Sequence, residues 1–248
     1  MSLSLTHLEP TAVLRRVGLS FLALLAFGAL AAPAQARTTT LAARARTIQI
    51  AVLGDSVAHD LGRGMQDLFA KNPRIHVTLR TKFATGLVRT DYYQWDKVAR
   101  DFLHHHNPDY VFVVIGGNDH QTIRRHGKRY DPDTKAWRAE YSRLVSQFMN
   151  NFARTHARVY FVSLPPVRSS RLSAAFRVIN DIYRREAEQH GFHYISIWNK
   201  FLPSGSYSSF GDNLNGVERR LRMDDGEHFT EDGRLLLAHD VARAAGLR

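Results

Sequence analysis

Cysteine is absent from the 248 residues, so the chain can form no disulfide and no metal site with thiolate ligands. The sequence has no Gly-x-Gly-x-x-Gly pattern and no P-loop pattern, which argues against dinucleotide and nucleoside-triphosphate chemistry. The Gly-x-Ser-x-Gly elbow of α/β-hydrolases is not met either, because Ala58 occupies its last position.

Long apolar runs are absent after the first 36 residues. Arg15 and Arg16 precede an apolar run over residues 17–32, which ends in Ala-Gln-Ala at Ala36. This pattern predicts a signal peptide (residues 1–36) and an exported protein, periplasmic or secreted by a bacterium. The run is short of the roughly 20 residues that a membrane span needs. A retained N-terminal membrane anchor is the alternative. If the signal peptide is cleaved, no stable membrane span is expected in the rest of the chain.

Basic side chains outnumber acidic ones. The chain carries 34 basic and 23 acidic side chains, which gives a net charge of +11. Without the two arginines and one glutamate of residues 1–36, 32 basic and 22 acidic side chains remain, or +10. No nucleic-acid motif accompanies the scattered arginines, so nucleic acid is not an expected partner. A diffuse solvated surface, or one that meets an anionic glycan, fits this charge.

Apolar, β-rich runs alternate with amphipathic helical patterns beyond a polar linker over residues 37–46. The predicted strands cover residues 48–53, 75–79, 110–115, 159–164 and 194–197. The alternation predicts an α/β domain over residues 47–248, a three-layer α/β/α sandwich with a five-stranded parallel sheet. We expect chemistry at the carboxyl ends of its strands.

Several helix ends can be predicted from single residues. Asp133 is expected to cap one helix, Gly191 to end another, and Thr230 to open the last. The stretch over residues 202–223 is predicted to be irregular and too long for a plain connection, as functional loops often are.

Ser56 follows the first predicted strand within Gly-Asp-Ser and opens a helix. The free N–H groups there would stabilise a developing oxyanion. Ser56 as a mere helix cap is the alternative.

A turn at Gly116-Gly117-Asn118-Asp119 follows the third strand, and Asn118 as an ordinary turn residue is the alternative there. Near the C-terminus, Asp225 precedes His228 by three residues, so its carboxylate could hold the imidazole.

Together these segments resemble the SGNH (GDSL-type) hydrolase superfamily, and residues 86–95 and 164–168 resemble an exported bacterial branch of it. The superfamily's blocks match residues 54–57, Gly86, residues 116–119 and the Asp225–His228 pair, although valine replaces the usual leucine at position 57. The resemblance covers roughly residues 47–245 and implies a flavodoxin-like fold.

The resemblance implies a serine esterase with a Ser56, Asp225 and His228 triad. Its oxyanion hole would be formed by the backbone N–H groups of Ser56 and Gly86 and by the side-chain amide of Asn118. This chemistry needs no cofactor and no metal. Asp224 is a rival to Asp225 but breaks the three-residue spacing. Glu227 departs from the expected neutral residue and is predicted to face solvent; the alternative is that it points inward and raises the pKa of His228.

Other clusters are weaker candidates. Three adjacent histidines at positions 104–106 cannot all face one metal from a helix, so they are interpreted as a helix end. Tyr92, Tyr93 and Trp95 suit either an aromatic sugar platform or core packing.

The expected substrates are O-acyl, especially acetyl, esters of envelope or exopolysaccharide glycans, with lipid esters and small esters left open. A glycan O-acyltransferase would use the same triad. A glycan-binding protein without turnover, or a tethered envelope assembly protein, is the alternative from another class. The oligomeric state cannot be read from the sequence.

Overall fold

The computed structural model describes residues 46–202 and 205–247, so the predicted signal peptide and all of the predicted linker except Arg46 lie outside the described residues. Its strands are β1 (Ile48–Gly54), β2 (Ile75–Thr81), β3 (Tyr110–Val114), β4 (Ile123–Arg125), β5 (Lys128–Tyr130), β6 (Arg158–Val162), β7 (His193–Ile195), β8 (Phe210–Asp212) and β9 (Glu218–Arg220). Its α-helices are α1 (Ser56–Leu68), α2 (Trp95–His106), α3 (Lys135–Met149), α4 (Ser170–His190) and α5 (Glu231–Ala244). Two short 3₁₀ helices cover Asn150–Phe152 and Asn199–Phe201.

The predicted parallel sheet is confirmed, with five strands in the order β2-β1-β3-β6-β7. The chain passes from β1 outward to β2 and then back across β1 to β3. Right-handed crossovers therefore place α1 on one face and α2, α3 and α4 on the other. Helix α5 packs on α1, while α3 packs on both α2 and α4. The result is the predicted three-layer α/β/α arrangement.

The core lies on both sides of the central strands. Ala51, Val52 and Leu53 of β1 are buried, as expected for strands covered by helices on both faces. Val57, Leu61 and Met65 recur every four residues on α1 and are also buried. None of the helices in residues 46–202 and 205–247 is both long and apolar enough to cross a membrane.

Two of the three predicted helix ends are confirmed. Gly191 adopts a left-handed conformation after α4, with φ of +72°, and the Thr230 hydroxyl accepts from Gly233 N–H at the start of α5. The prediction for α3 was wrong by one residue. Thr134 Oγ1 accepts from Trp137 N–H at 3.1 Å, while the Asp133 carboxylate contacts His120 instead.

Two hairpins were not predicted. The segment over residues 202–223, predicted to be irregular, contains the antiparallel pair β8–β9. A second hairpin, β4–β5, turns through His126 and Gly127, which both have positive φ angles. Two such residues between strands are typical of a tight hairpin turn, and of the pair only the glycine could be read from the sequence as a turn signal.

Candidate active site

Two of the predicted segments meet where the order of the strands reverses. Chain connections leave in opposite directions from β1 and β3, and ligands of open parallel sheets bind beyond the carboxyl ends of strands at such a point. Ser56 follows β1 by two residues, and Asn118 follows β3 by four. The fold therefore brings both residues to one edge of the sheet.

The turn between β1 and α1 depends on Gly54 and Asp55. Gly54 has a φ of +141°, and a Cβ on it would lie 1.7 Å from the Val114 carbonyl oxygen, so no other residue fits. Asp55 caps α1, since its Oδ1 accepts from Val57 N–H at 3.0 Å. Because Asp55 is the cap, the Ser56 hydroxyl is not needed for that role. Ser56 is the first residue of the helix, with 8% of its surface exposed.

Asp55 also joins the turn after β1 to the loop after β3. Its Oδ2 accepts from Gly116 N–H and Gly117 N–H, both at 3.0 Å. Burial raises the pKa of Asp55 to about 7, although its three backbone donors favour the ionised form. One buried carboxylate thus positions Ser56 relative to residues 116–119.

Asp119 holds the loop that carries Gly86. Its two oxygens accept from Leu87 N–H and Val88 N–H, both at 2.9 Å, and from the Tyr141 hydroxyl. A Cβ on Gly86 would lie 2.0 Å from Asp119 Oδ1, so the loop approaches this carboxylate too closely for any side chain. Burial raises the pKa of Asp119, although these three hydrogen bonds favour its ionised form.

Asn118 faces the same loop. Its Nδ2 donates to the Thr85 carbonyl oxygen at 3.0 Å, one residue before Gly86. The other hydrogen of this amide has no acceptor among the described residues and remains available to a ligand. The structure thus brings Asn118 and the Gly86 loop into direct contact.

Asp225 and His228 form the predicted pair. Asp225 Oδ2 lies 2.7 Å from His228 Nδ1, and Asp225 Oδ1 accepts from Glu227 N–H and His228 N–H. Burial opposes ionisation of Asp225, but these bonds hold its pKa at about 2. The rival Asp224 is exposed and contacts Arg220 instead, as the spacing indicates.

His228 carries a raised pKa. Burial acts to lower it, but the hydrogen bond and charge of Asp225, with the charges of Asp60 and Glu227, raise it overall. The other ring nitrogen, Nε2, is buried and has no hydrogen-bond partner among the described residues, so a bond to Ser56 is not formed here. In ligand-free enzymes such bonds are often long and tighten only with substrate.

Two contacts attach the His228 segment to the same edge of the sheet. Phe229 N–H donates to Asp60 Oδ2 at 3.0 Å, and Asp60 lies one helical turn beyond Ser56 on α1. A Cβ on Gly117 would lie 3.7 Å from Glu227 Oε1, so Glu227 reaches the loop after β3. Glu227 is half-buried, and the prediction that it faces solvent was wrong. Burial raises its pKa.

A buried arginine supports this segment and was missed by the sequence analysis. Arg222 is 1% exposed, donates to the carbonyl oxygens of Glu227 and Pro166, and lies over the Phe229 ring. Burial lowers its pKa to about 10. No short motif distinguishes it from the exposed arginines at positions 219 and 220, because its partners are backbone carbonyls from distant segments.

Trp95 belongs to the core and not to a sugar platform. It is 2% exposed, and its Nε1 donates to the Thr85 hydroxyl at 3.0 Å. Tyr92 is 55% exposed.

The three histidines at positions 104–106 lie at the end of α2. His106 stacks on Phe102 and His105 Nδ1 contacts the Asp101 carbonyl oxygen, as side chains at a helix end do.

A cavity of about 750 Å³ lies away from this edge and includes none of the predicted site residues. It is formed by the last turns of α1 and α5 and the loop before β2. Its lining includes Lys71, Arg74 and Arg243.

Solved structures with this fold include several ester hydrolases. The α/β hydrolase enzyme LAE5 from the metagenome of Lake Arreo, Spain, is 18% identical, with a TM-score of 0.59 over 81% of this chain and 96% of that one. A catalytic mutant of Axe2, an acetylxylan esterase from Geobacillus stearothermophilus, is 14% identical, with a TM-score of 0.57 over 82% and 96%. A GDSL-like lipase from Bacteroides thetaiotaomicron is 15% identical, with a TM-score of 0.54 over 83% and 93%.

Comparison with curated proteins found no match. Residues 49–244 match the family described as "Protein of unknown function (DUF459)". The match includes every predicted site residue and all of the sheet except Ile48. The chain therefore belongs to the DUF459 family, and its fold is that of the SGNH, or GDSL-type, hydrolases.

Proposed function

We propose that this chain is an exported ester hydrolase with Ser56 as nucleophile, His228 as general base and Asp225 as the residue that orients His228. The observation that carries the proposal is the Asp225–His228 pair, which leaves the buried Nε2 of His228 without a partner among the described residues. Nε2 can accept a proton only in the neutral tautomer that carries its proton on Nδ1, and the 2.7 Å contact of Nδ1 with Asp225 favours that tautomer and orients the ring.

The reaction follows from these roles. Ser56 Oγ attacks the ester carbonyl while its proton passes to His228 Nε2, and a tetrahedral oxyanion forms. His228 then gives the proton to the leaving alcohol, and water completes hydrolysis of the acyl-enzyme by the same steps. Asp225 stays ionised throughout, as its pKa of about 2 favours.

The oxyanion would be stabilised by the N–H groups of Ser56 and Gly86 and by the Asn118 amide. Three contacts support this assignment. Asp55 holds the start of α1 to the loop after β3, Asp119 holds the Gly86 loop, and Asn118 contacts that loop through Thr85. Each donor is thereby fixed before the substrate arrives, which is what oxyanion stabilisation requires.

O-acylated envelope or exopolysaccharide glycans are the proposed substrates. The net charge of +10 beyond residue 36 suits an anionic polymer surface, and the predicted signal peptide would bring the enzyme to one. The similar fold of an acetylxylan esterase supports an acetylated glycan in particular.

Hydrolysis of p-nitrophenyl acetate tests the proposal. Ser56→Ala should lower kcat/KM by a factor on the order of 10⁴, because the nucleophile is lost. Ser206→Ala, an exposed serine in the loop before β8, should leave the rate unchanged.

If wild type and Ser56→Ala are equally inert across acetyl, butyryl and longer esters, the glycan-binding interpretation replaces catalysis. If acyl groups pass to added sugars faster than to water, the enzyme is an acyltransferase with the same triad.

A further inference from the structure

Glu227 is an acidic side chain at this edge that bears on the proposed reaction only through its charge, which helps to raise the pKa of His228. Its backbone is fixed on both sides, since its N–H donates to Asp225 Oδ1 at 2.8 Å and its carbonyl oxygen accepts from Arg222. The side chain extends from this fixed backbone toward Gly117, on the loop that also carries Asn118.

The surroundings of the Glu227 carboxylate leave it without a donor. Among the described residues, no side chain forms a hydrogen bond or salt bridge with it, and Arg222 bonds only to the backbone carbonyl of Glu227, although the charges of Arg222 and His228 favour the ionised carboxylate. A Cβ built on Gly117 would also lie 3.4 Å from Asp55 Oδ2 and 3.8 Å from the Phe176 ring. Neither group is a good partner for a carboxylate, since Asp55 Oδ2 already accepts two backbone N–H bonds and the ring has no polar donor. A half-buried carboxylate that forms no such bond can gain free energy from a ligand that brings a cationic group to it.

We propose that Glu227 selects esters that carry a positively charged amine close to the scissile carbonyl. This inference rests on the proposed ester hydrolase and names its substrate class as an acyl ester whose acyl or alcohol part bears an ammonium group. The ammonium would bind Glu227 while the ester carbonyl occupies the oxyanion hole beside Asn118. On a glycan, the same chemistry describes an acylated unit that bears a free amine.

The test compares matched esters that differ in charge but hardly in shape. On the alcohol side, acetylthiocholine is paired with its neutral isostere, 3,3-dimethylbutyl thioacetate. On the acyl side, p-nitrophenyl alaninate is paired with p-nitrophenyl isobutyrate. Each kcat/KM is divided by the rate constant for hydroxide hydrolysis of the same ester, which removes differences in intrinsic reactivity.

In the wild type, the normalised ratio of cationic to neutral ester should be about 10 to 100 in at least one pair. The alaninate ammonium can form a charged hydrogen bond with Glu227, whereas acetylthiocholine has no N–H and tests the attraction between the charges alone. Glu227→Gln keeps the shape of the side chain and should bring that ratio to within about threefold of one. Glu218→Gln removes the same charge from an exposed position on β9 and should keep the wild-type ratio.

Three results would overturn the inference. A wild type without cationic preference in both pairs, but with Ser56-dependent hydrolysis of the neutral esters, refutes the role of Glu227 and leaves the proposed function intact. If wild type and Glu227→Gln give equal ratios, the preference comes from something other than Glu227. The same holds if Glu218→Gln loses the preference as well. A wild type inert to all four esters overturns the proposed function and this inference together.

Discussion

Aspartate carboxylates fasten the loops of this site by accepting backbone N–H bonds. Asp55, Asp60 and Asp119 are buried and bind donors from segments distant in sequence. Burial raises the pKa of Asp55 to about 7, so its ionised form costs free energy in the folded protein. A carboxyl with a raised pKa stabilises the fold fully below its unfolded value, here 3.8, and that contribution is lost as the pH rises toward 7.

The raised pKa of His228 predicts the acid side of the pH profile. His228 must be neutral to accept the Ser56 proton, and its pKa lies above 6.5 because the Asp225 bond and the nearby acidic groups outweigh burial. The kcat/KM for p-nitrophenyl acetate should therefore fall as the pH drops, with its midpoint above 6.5. Asp225→Asn should move this midpoint downward and lower kcat by about 10⁴. A wild-type midpoint below 6.5 would contradict the assignment of His228 as the base.

Asn118 allows catalysis to be separated from folding. Asn118→Ala removes an amide proposed to contact the oxyanion, so kcat should fall by roughly 10²–10³ with little change in KM. It also removes the bond to Thr85, which should cost about 1 kcal/mol in the free energy of unfolding. Steady-state kinetics and urea unfolding measure the two effects.

The matched control for this change is Asn215→Ala, an exposed asparagine in the turn between β8 and β9, which should alter neither kcat nor KM. If Asn118→Ala unfolds the domain, or leaves kcat intact on a verified substrate, then Asn118 is a structural turn residue.

At the scale of elements, the strands and most helices could be predicted because their signals are local. Continuous apolar runs identified all five sheet strands to within about two residues, and residues spaced every three or four positions identified the buried helix faces. The Asp225–His228 contact was also predictable, since three residues of chain separate the two. Arg222 and the inward position of Glu227 were not, because they depend on segments that meet only in the folded protein.

The Gly86 loop provides the prediction at this scale. In Gly86→Ala the added methyl would lie 2.0 Å from Asp119 Oδ1, so the loop must move and its bonds from Leu87 and Val88 are strained or lost. We expect a loss of about 1–3 kcal/mol in the free energy of unfolding and of about 10²-fold in kcat.

The control is Gly127→Ala in the β4–β5 turn, where a Cβ meets no atom within 4 Å although φ is +71°. That change should cost about 1–2 kcal/mol through backbone strain and leave kcat intact. If both variants keep full kcat, the Gly86 N–H takes no part in stabilising the oxyanion.

For the whole molecule, the point where the chain enters the sheet and the candidate site lie at opposite ends of β1. The chain enters β1 at Ile48 and reaches the candidate site beyond Gly54, seven residues later. At about 3.3 Å per residue, the entry point lies about 20 Å from Ser56. Residues that precede β1 are therefore attached at the amino end of this strand, opposite the end where the proposed triad lies.

This separation predicts that removal of the signal peptide leaves the enzyme unchanged. The protein exported by a bacterial host should begin at Arg37 by N-terminal sequencing, because the predicted cleavage site follows Ala36. Its kcat/KM for p-nitrophenyl acetate should agree within about twofold with that of the uncleaved chain, since every residue proposed to take part in the reaction lies within residues 56–228. An exported protein that still begins with residues 1–36 and stays with the membrane fraction would establish the retained anchor instead. A cleaved protein with much altered kcat/KM would show that residues 1–36 reach the site, contrary to this prediction.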